Sequence, residues 1–211
     1  MASLRELHAA HGSVLTIDAA SSRVQVGHLR SDGRGEWQSS DEEAGVAVFQ
    51  CFEKLRLAVG DVGAFAFCDG PGSILGIRTV AMALRTWQLF AARPIFSYCS
   101  LALVAHALGR PELAAIADAR RESWHHYRIG GPLRRLATSE LEGELVMPDY
   151  FRHWSELPPH VTRVPYVVSD LLPRVIDTDL FQATEAPDAF LHSPPNYLTW
   201  TPQIHRAPSP R

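Results

Sequence analysis

The sequence predicts an α/β fold, in which short buried strands alternate with helices. A short apolar run at Val62–Phe67 is typical of a buried strand. The next residues, 68–73, contain two glycines and one proline, which favours a tight turn. The segment Ile74–Arg93 then contains no proline, which predicts a long helix. A strand, a turn and a helix in this order are the basic unit of an α/β protein.

The turn itself allows a structural or a binding interpretation. Gly70 and Gly72 permit close backbone approach or positive φ, and Ser73 is suited to cap the following helix. Free amides at that helix start could hold an anion, with Arg78 one turn further on. A purely structural role is the equal alternative. The turn lacks the Gly-Lys-Ser/Thr of a phosphate-binding loop and the spacing of a dinucleotide fingerprint.

Length and composition exclude several classes of protein. The 211 residues are 46% hydrophobic, which is enough to build a sizeable core in one or two domains. The net charge of -3 does not favour a protein that grips a polyanion unaided. No apolar run predicts a membrane span or a signal peptide. Cys51, Cys68 and Cys99 are scattered in apolar segments, as expected of reduced thiols in a cytoplasmic protein.

The first strands follow a short predicted extension at 1–12. Ser13–Asp18 and the alternating Arg23–Leu29 predict an antiparallel pair. A strand, an aspartate and a small-residue turn also open the actin, Hsp70 and sugar-kinase superfamily. There the turn carries glycine, whereas Ala19 and Ala20 stand here and make a phosphate cradle less favourable. A structural role for Asp18 is therefore favoured over a role as catalytic base.

Two helices, predicted at 41–59 and 74–93, carry more apolar surface than one sheet can cover. The surplus predicts an interface with a second protein. The predicted interface residues are Ala44, Ala47, Val48, Cys51, Val80, Ala83 and Trp87. A charge placed at Ala47 or Ala83 is expected to break the complex and to leave the fold intact.

The second half begins after Gly109-Arg110-Pro111, a predicted boundary. A buried strand at 113–117, a tight turn at 118–122 and a return strand at 123–129 come next. A possible strand at 133–137 and a poor helix or loop at 139–147 are followed by a strand at 164–170 and a short helix at 171–176. A shortened helix at 186–192 and a proline-rich tail are predicted at the end.

Two motifs carry a family resemblance. The first is Gly-Pro-Gly-Ser, two residues, glycine, an aliphatic residue and arginine at 70–78, and the second is Asp118-Ala119-Arg120 followed by Glu122 and an aromatic-rich strand. At these motifs the chain resembles the bacterial TsaB (YeaZ) family, the non-catalytic partners of the TsaD enzyme in making threonylcarbamoyladenosine (t6A) on tRNA. Its departures at 19, 40–45, 74–75, 79–80 and 199 are compatible with a diverged paralogue.

The resemblance implies a two-lobed actin/Hsp70/sugar-kinase-like (ribonuclease H-like) fold with mixed sheets. The implied lobes are 13–110 and 111–190, and 191–211 would return to the first lobe near Tyr197 and end in a mobile tail. It implies a cytoplasmic scaffold that pairs through the helices at 41–59 and 74–93 with a TsaD-like enzyme, with a second copy of itself, or with both. No metal or cofactor is implied, except ATP or ADP with magnesium as a ligand of the whole complex. Contact with tRNA would occur through the complex, and no contact with membranes is expected.

Two alternatives remain open. Asp18 and the Gly70–Gly76 turn are the only support for a nucleotide-binding ATPase or phosphotransferase. A metallopeptidase is less favoured, because the chain lacks the His-x-x-x-His motif of TsaD. His125 and His126 are neighbours on one strand and point to opposite faces, so they cannot share a metal.

Overall fold

Two mixed β-sheets with flanking helices form the framework of the protein. The computed structural model describes residues 1–31 and 35–190. The first sheet has the strand order β11-β5-β4-β1-β2-β3. Its strands are β1 Ser13–Asp18, β2 Val24–Arg30, β3 Gly35–Ser40, β4 Ala64–Gly70, β5 Ile95–Cys99 and β11 Gln182–Ala183. The second sheet has the order β10-β9-β6-β7-β8. Its strands are β6 Ala114–Asp118, β7 Ser123–Arg128, β8 Arg134–Ala137, β9 Leu145–Pro148 and β10 Thr162–Val164.

The two sheets repeat one topology. In each, an antiparallel meander of three strands is followed by two strands that run parallel to the first. The first strand of each ends in an aspartate, Asp18 in β1 and Asp118 in β6. This repeat confirms the predicted fold class.

Five α-helices flank the sheets in the described part of the chain. They are α1 Leu4–His11, α2 Ala44–Lys54, α3 Ile74–Gln88, α4 Ser100–Leu108 and α5 Val168–Leu171. Helices α2 and α3 pack on each other and on the first sheet, while α4 contacts strands of both sheets. The apolar side of α4 is fully buried, from Leu101 to Ala105. The core therefore continues from one sheet to the other.

Residues 1–12, predicted as a short extension, contain a helix that packs on the core. Ser3 caps α1 through the amide of Glu6, whose carboxylate in turn accepts from the amide of Ser3. Leu4 and Leu7 are buried in the core. The prediction failed because the segment is too short to show a clear periodicity.

Both long helices are shorter than predicted. Helix α2 begins at Ala44, three residues after the predicted start, and the Asp41 carboxylate pairs with Arg23 at 2.8 Å. It ends before Arg56, whose φ of 54° lies outside the helical region. Helix α3 ends at Gln88, five residues before the predicted end.

Three assignments in the second half need correction. Part of the predicted loop at 139–147 contributes to β9, and the predicted strand at 164–170 divides into the end of β10 and helix α5. Residues 186–190 are not helical. The predicted second lobe, 111–190, includes β11, which pairs with β5 of the first sheet at Gln182↔Ser97. The return therefore occurs before Tyr197, which lies with the predicted tail outside the described residues.

Candidate functional site

Asp18, at the carboxyl end of β1, is enclosed by hydrogen-bond donors. Its Oδ1 accepts from the Ala20 amide at 3.0 Å, and its Oδ2 accepts from the hydroxyls of Tyr98 and Tyr166, each at 2.7 Å. The side chain is fully buried. Burial raises the pKa of Asp18, although all three donors oppose that shift. A carboxylate enclosed in this way cannot reach a substrate, which favours the structural role.

The same cluster joins the two halves of the molecule. Tyr98 belongs to β5 of the first sheet, whereas Tyr166 lies between β10 and α5. Gln25 of β2 donates to the Tyr166 carbonyl at 3.1 Å and accepts from the Val168 amide at 2.8 Å. We call Asp18, Gln25, Tyr98 and Tyr166 the buried latch. Because its bonds run between segments about 140 residues apart, it fixes one half against the other.

The glycine turn packs directly on the β1–β2 turn. A Cβ at Gly72 would lie 2.3 Å from the Ala20 carbonyl oxygen, and one at Gly76 would lie 2.2 Å from that of Ala19. The φ of Gly72 is 157°, a value that residues with a side chain rarely adopt, so the backbone conformation and this contact both demand glycine there. The Ser73 amide, expected to be free for an anion, donates to the Ala20 carbonyl at 2.7 Å. The Ser73 hydroxyl caps α3 at the Gly76 amide, as predicted from the sequence.

Arg78 and Gly70 contact the segment that follows β11. The Arg78 guanidinium lies 3.5 Å from the Asp188 carboxylate, and Arg85 donates to the Pro187 carbonyl at 2.6 Å. The Phe190 amide donates to the Asp69 carbonyl at 2.7 Å, beside Gly70. Residues 187–190 therefore lie over the turn at which an anion was expected. Arg78 has a carboxylate partner already.

Asp69 is a titratable residue that the sequence reasoning missed. It lines a cleft of about 240 Å³ together with Phe67, Ser97, Asp188 and Phe190. Burial raises the pKa of Asp69 to about 6, against a smaller opposing hydrogen bond from the Ser97 side chain. Its position near the end of an apolar strand was the available signal.

The Asp118 turn of the second sheet repeats the geometry of the Asp18 turn. Asp118 Oδ1 accepts from the Arg120 amide at 2.5 Å, as Asp18 Oδ1 accepts from Ala20. Its Oδ2 accepts from the amides of Trp154 and Ser155, at 2.6 and 2.7 Å. Burial opposes ionisation, but these backbone donors outweigh it and lower the pKa of Asp118. The motif Asp118-Ala119-Arg120 thus anchors the loop at 154–155, and Glu122 holds Thr138 through its carbonyl.

The predicted interface residues are mostly core residues. Six are buried, with Trp87 packed against Phe52 and Phe65, and the seventh, Ala44, is half-buried. The buried six are Ala47, Val48, Cys51, Val80, Ala83 and Trp87. The sequence pattern identified the apolar faces correctly but not which of them the sheet covers. A charge at Ala47 or Ala83 is therefore expected to unfold the protein, which corrects the earlier expectation.

A different set of apolar side chains is exposed on the same two helices and at the end of α3. We call these the α2–α3 surface: Val46, Phe49, Ile74, Leu75, Met82, Leu89 and Phe90. Leu75, Met82 and Leu89 are spaced by seven residues and share one stripe. Between them, the hydroxyls of Thr79 and Thr86 donate to carbonyls of their own helix, at 2.9 Å each. The stripe therefore presents few free polar groups.

The described ranges, 1–31 and 35–190, contain no group of three or more side chains suited to hold a metal ion. In the same ranges, no helix is long and apolar enough to cross a membrane.

Comparison with known proteins connects these features to one family. Residues 38–146, just over half of the chain, match the sequence model of TsaD, described as tRNA N6-adenosine threonylcarbamoyltransferase. The chain belongs to the TsaD family. The match includes both the glycine turn and the Asp118 turn. No curated protein sequence matches the chain.

Solved structures extend the comparison to the YeaZ fold. YeaZ from Pseudomonas aeruginosa is 18% identical and covers 78% of this chain and 90% of its own, with a TM-score of 0.58. A second crystal structure is described as an uncharacterized protein with similarity to peptidase YeaZ from Pseudomonas aeruginosa. It is 19% identical, the match covers 77% of this chain and 89% of that one, and the TM-score is 0.55. The predicted resemblance to TsaB (YeaZ) is thereby confirmed at the level of the fold.

Proposed function

We propose that this chain is a non-catalytic subunit that assembles with a TsaD-type threonylcarbamoyltransferase and supports t6A formation on tRNA. The observation that carries the proposal is the α2–α3 surface. Its seven side chains have between 47% and 85% of their surface free. Their exposed areas add up to on the order of 700 Å² of apolar surface, which the chain on its own leaves in contact with water.

The occupant of that surface is a protein with a matching apolar face. A TsaD-type enzyme fits because the chain belongs to its family, and related folds can present similar helices to each other. If the two proteins paired through their corresponding helices, the apolar stripe of each would be covered. Such a contact could bury the more than about 1,000 Å² that a stable interface needs. A second copy of this chain is the competing occupant.

The non-catalytic part of the proposal is supported by the enclosed aspartate and the occupied turn. Asp18 is fully buried with hydrogen bonds to both carboxylate oxygens, and the Ser73 amide is bonded to Ala20. Both are groups that an ATPase of this fold would need for magnesium and phosphate. We therefore infer that ATP or ADP with magnesium is a ligand of the assembled complex and not of this chain alone. We also propose that the chain works in the cytoplasm, where tRNA is modified.

The test is assembly with the TsaD-type protein of the same organism, measured as molar mass by light scattering. The wild-type chain is expected to form a complex at micromolar concentration. Met82→Glu should weaken that complex at least about tenfold, because it places a charge at the centre of the apolar stripe. Leu157→Glu, also at an exposed apolar side chain, is the matched control and should assemble normally.

Three results are informative. A wild-type chain that stays monomeric alone and in the mixture contradicts the proposal. A homodimer that excludes the enzyme assigns the surface to self-association instead. Equal assembly of Met82→Glu and wild type would remove the α2–α3 surface as the contact. Circular dichroism of each variant shows whether the fold is retained.

A further inference from the structure

The turn between β6 and β7 carries a cluster of exposed arginines. Arg120 and Arg121 lie at its tip, and Arg135 of β8 reaches it from the neighbouring strand. Arg135 donates to the Ser123 hydroxyl at 2.8 Å and to the Ala119 carbonyl at 2.9 Å. We call these three arginines, together with the neighbouring Trp154, the arginine turn.

The three guanidinium groups have no carboxylate partner within the described residues. Arginines elsewhere do form ion pairs; they include Arg5, Arg23, Arg30, Arg78 and Arg110. Of the nearby carboxylates, Asp118 is held by three backbone amides and Glu140 by the Ala137 amide. Glu122 is the third carboxylate nearby, and it forms no ion pair within the described residues either. Because the Asp118 and Glu140 carboxylates are directed at backbone amides, the three guanidinium groups are left without a carboxylate partner in the described part of the chain.

The backbone beneath these charges is rigid. Arg120, Arg121 and Glu122 have φ values of 64°, 52° and 55°, a left-handed conformation that is rare for residues other than glycine. Such a conformation persists where surrounding bonds determine it. Here Ser123 bonds the Arg120 carbonyl through its amide and hydroxyl, and Thr138 bonds the Glu122 carbonyl in the same two ways. The arginines are therefore displayed from a fixed frame, which lowers the entropic cost of binding.

An exposed aromatic ring completes the cluster. Trp154 is 61% exposed, and the Arg120 guanidinium lies 4.4 Å from the centre of its ring. The backbone amide of Trp154 is fixed by Asp118. Unpaired guanidinium groups beside an exposed indole are suited to a phosphodiester backbone with an unstacked base, since each base offers a π-face.

We propose that the arginine turn binds the phosphodiester backbone of RNA. This inference rests on the proposed function, which supplies tRNA as the RNA. The turn lies on the second sheet and the α2–α3 surface on the first, so different elements serve the two contacts. Two or three phosphate contacts on a chain of net negative charge make a weak site alone. The site adds affinity once a partner holds the same RNA.

The experiment measures binding of an unmodified tRNA transcript to the complex with the TsaD-type enzyme, by fluorescence anisotropy across a salt series. The double variant Arg120→Gln and Arg121→Gln should weaken binding about tenfold at about 0.1 M salt, and should reduce the slope of log K against log salt by about 1–2. Trp154→Ala should weaken it several-fold. Arg174→Gln, at an exposed arginine that forms no ion pair within residues 1–31 and 35–190, is the control and should bind as wild type.

The outcomes separate this inference from the proposed function. Variants that assemble normally and bind tRNA as wild type does overturn the arginine turn alone. Variants that no longer assemble with the TsaD-type enzyme but still bind RNA would show that the turn contacts protein. That result also overturns the inference. If the wild-type chain forms no complex, the proposed function fails. In that case the same titration is carried out on the chain alone at about 50 mM salt. Weaker binding of tRNA by the double variant than by the wild type supports the arginine turn as the site. Equal binding by the two, or no binding by either, overturns it.

Discussion

The buried latch gives a sharp test of how the two halves are held together. Tyr166→Phe removes a single hydroxyl, which donates to Asp18 at 2.7 Å, and keeps the ring that packs edge-on against Phe151. A buried hydrogen bond to a charged group contributes roughly 1.5–3 kcal/mol, so the free energy of unfolding should fall by that amount. For a chain of this length, that corresponds to a decrease in Tm of about 3–12 °C. Tyr127→Phe is the matched control, because its hydroxyl meets the neutral His106 at 3.1 Å and should contribute less.

The effect should depend on pH in a defined direction. Burial raises the pKa of Asp18 above its unfolded value, so the folded state binds the proton more readily. Ionisation of Asp18 therefore costs stability as pH rises from the unfolded pKa through the folded pKa. The hydrogen bond from Tyr166 is strongest when Asp18 is ionised, because a charged acceptor binds the hydroxyl more tightly than a neutral one. The loss in Tyr166→Phe should thus be largest at high pH and should shrink on acidification.

Chemical denaturation at several pH values, followed by circular dichroism, measures both effects. The reasoning is refuted if Tyr166→Phe unfolds within about 0.5 kcal/mol of wild type at every pH, since surface-like changes have that size. A loss no larger than that of Tyr127→Phe would also refute it. A larger loss with the expected pH trend would establish that the hydroxyl stabilises a buried carboxylate.

Two further predictions concern the glycine turn and the cleft beside it. Gly72→Val should lower the free energy of unfolding by at least about 3 kcal/mol or prevent folding, because its Cβ would meet the Ala20 carbonyl at 2.3 Å. Ser73→Ala should cost about 1 kcal/mol, because it removes the helix cap. Equal melting temperatures of the two variants would contradict this prediction. Asp69 has a pKa of about 6 when folded, so its ionisation should cost at most about 3 kcal/mol as pH rises from about 4 to 7. Asp69→Asn should remove that part of the pH dependence, and denaturation curves that keep the same pH dependence in wild type and variant would count against the assignment.

Local sequence signals predicted the parts of the fold in which neighbouring residues determine the structure. The apolar run before Asp69 and the Ser73 cap correctly located β4 and the start of α3. Strands β6 and β7 with the Asp118 turn between them were also anticipated. In each case the strand, turn or cap signal lies within a few residues, so it can be recognised without knowledge of distant contacts.

The parts that were missed depend on distant contacts. Tyr166 reaches Asp18 across 148 positions, and no local pattern records that pairing. The interface residues were misassigned for a related reason. Periodicity shows that Ala47 and Phe49 belong to an apolar helix, but the position of the sheet decides that the first is buried and the second exposed.

The two-residue strand β11 has a consequence for how the protein is made. It pairs with β5 and so covers the edge of the first sheet, while Phe181 just before it exchanges two hydrogen bonds with Ala2. The Arg5–Asp177 ion pair, 172 positions apart, fastens the same region. On the ribosome the β5 edge must therefore stay unpaired until residues near 183 have emerged. A nascent chain released earlier, or a fragment cut after α4, would expose a bare strand edge that favours aggregation.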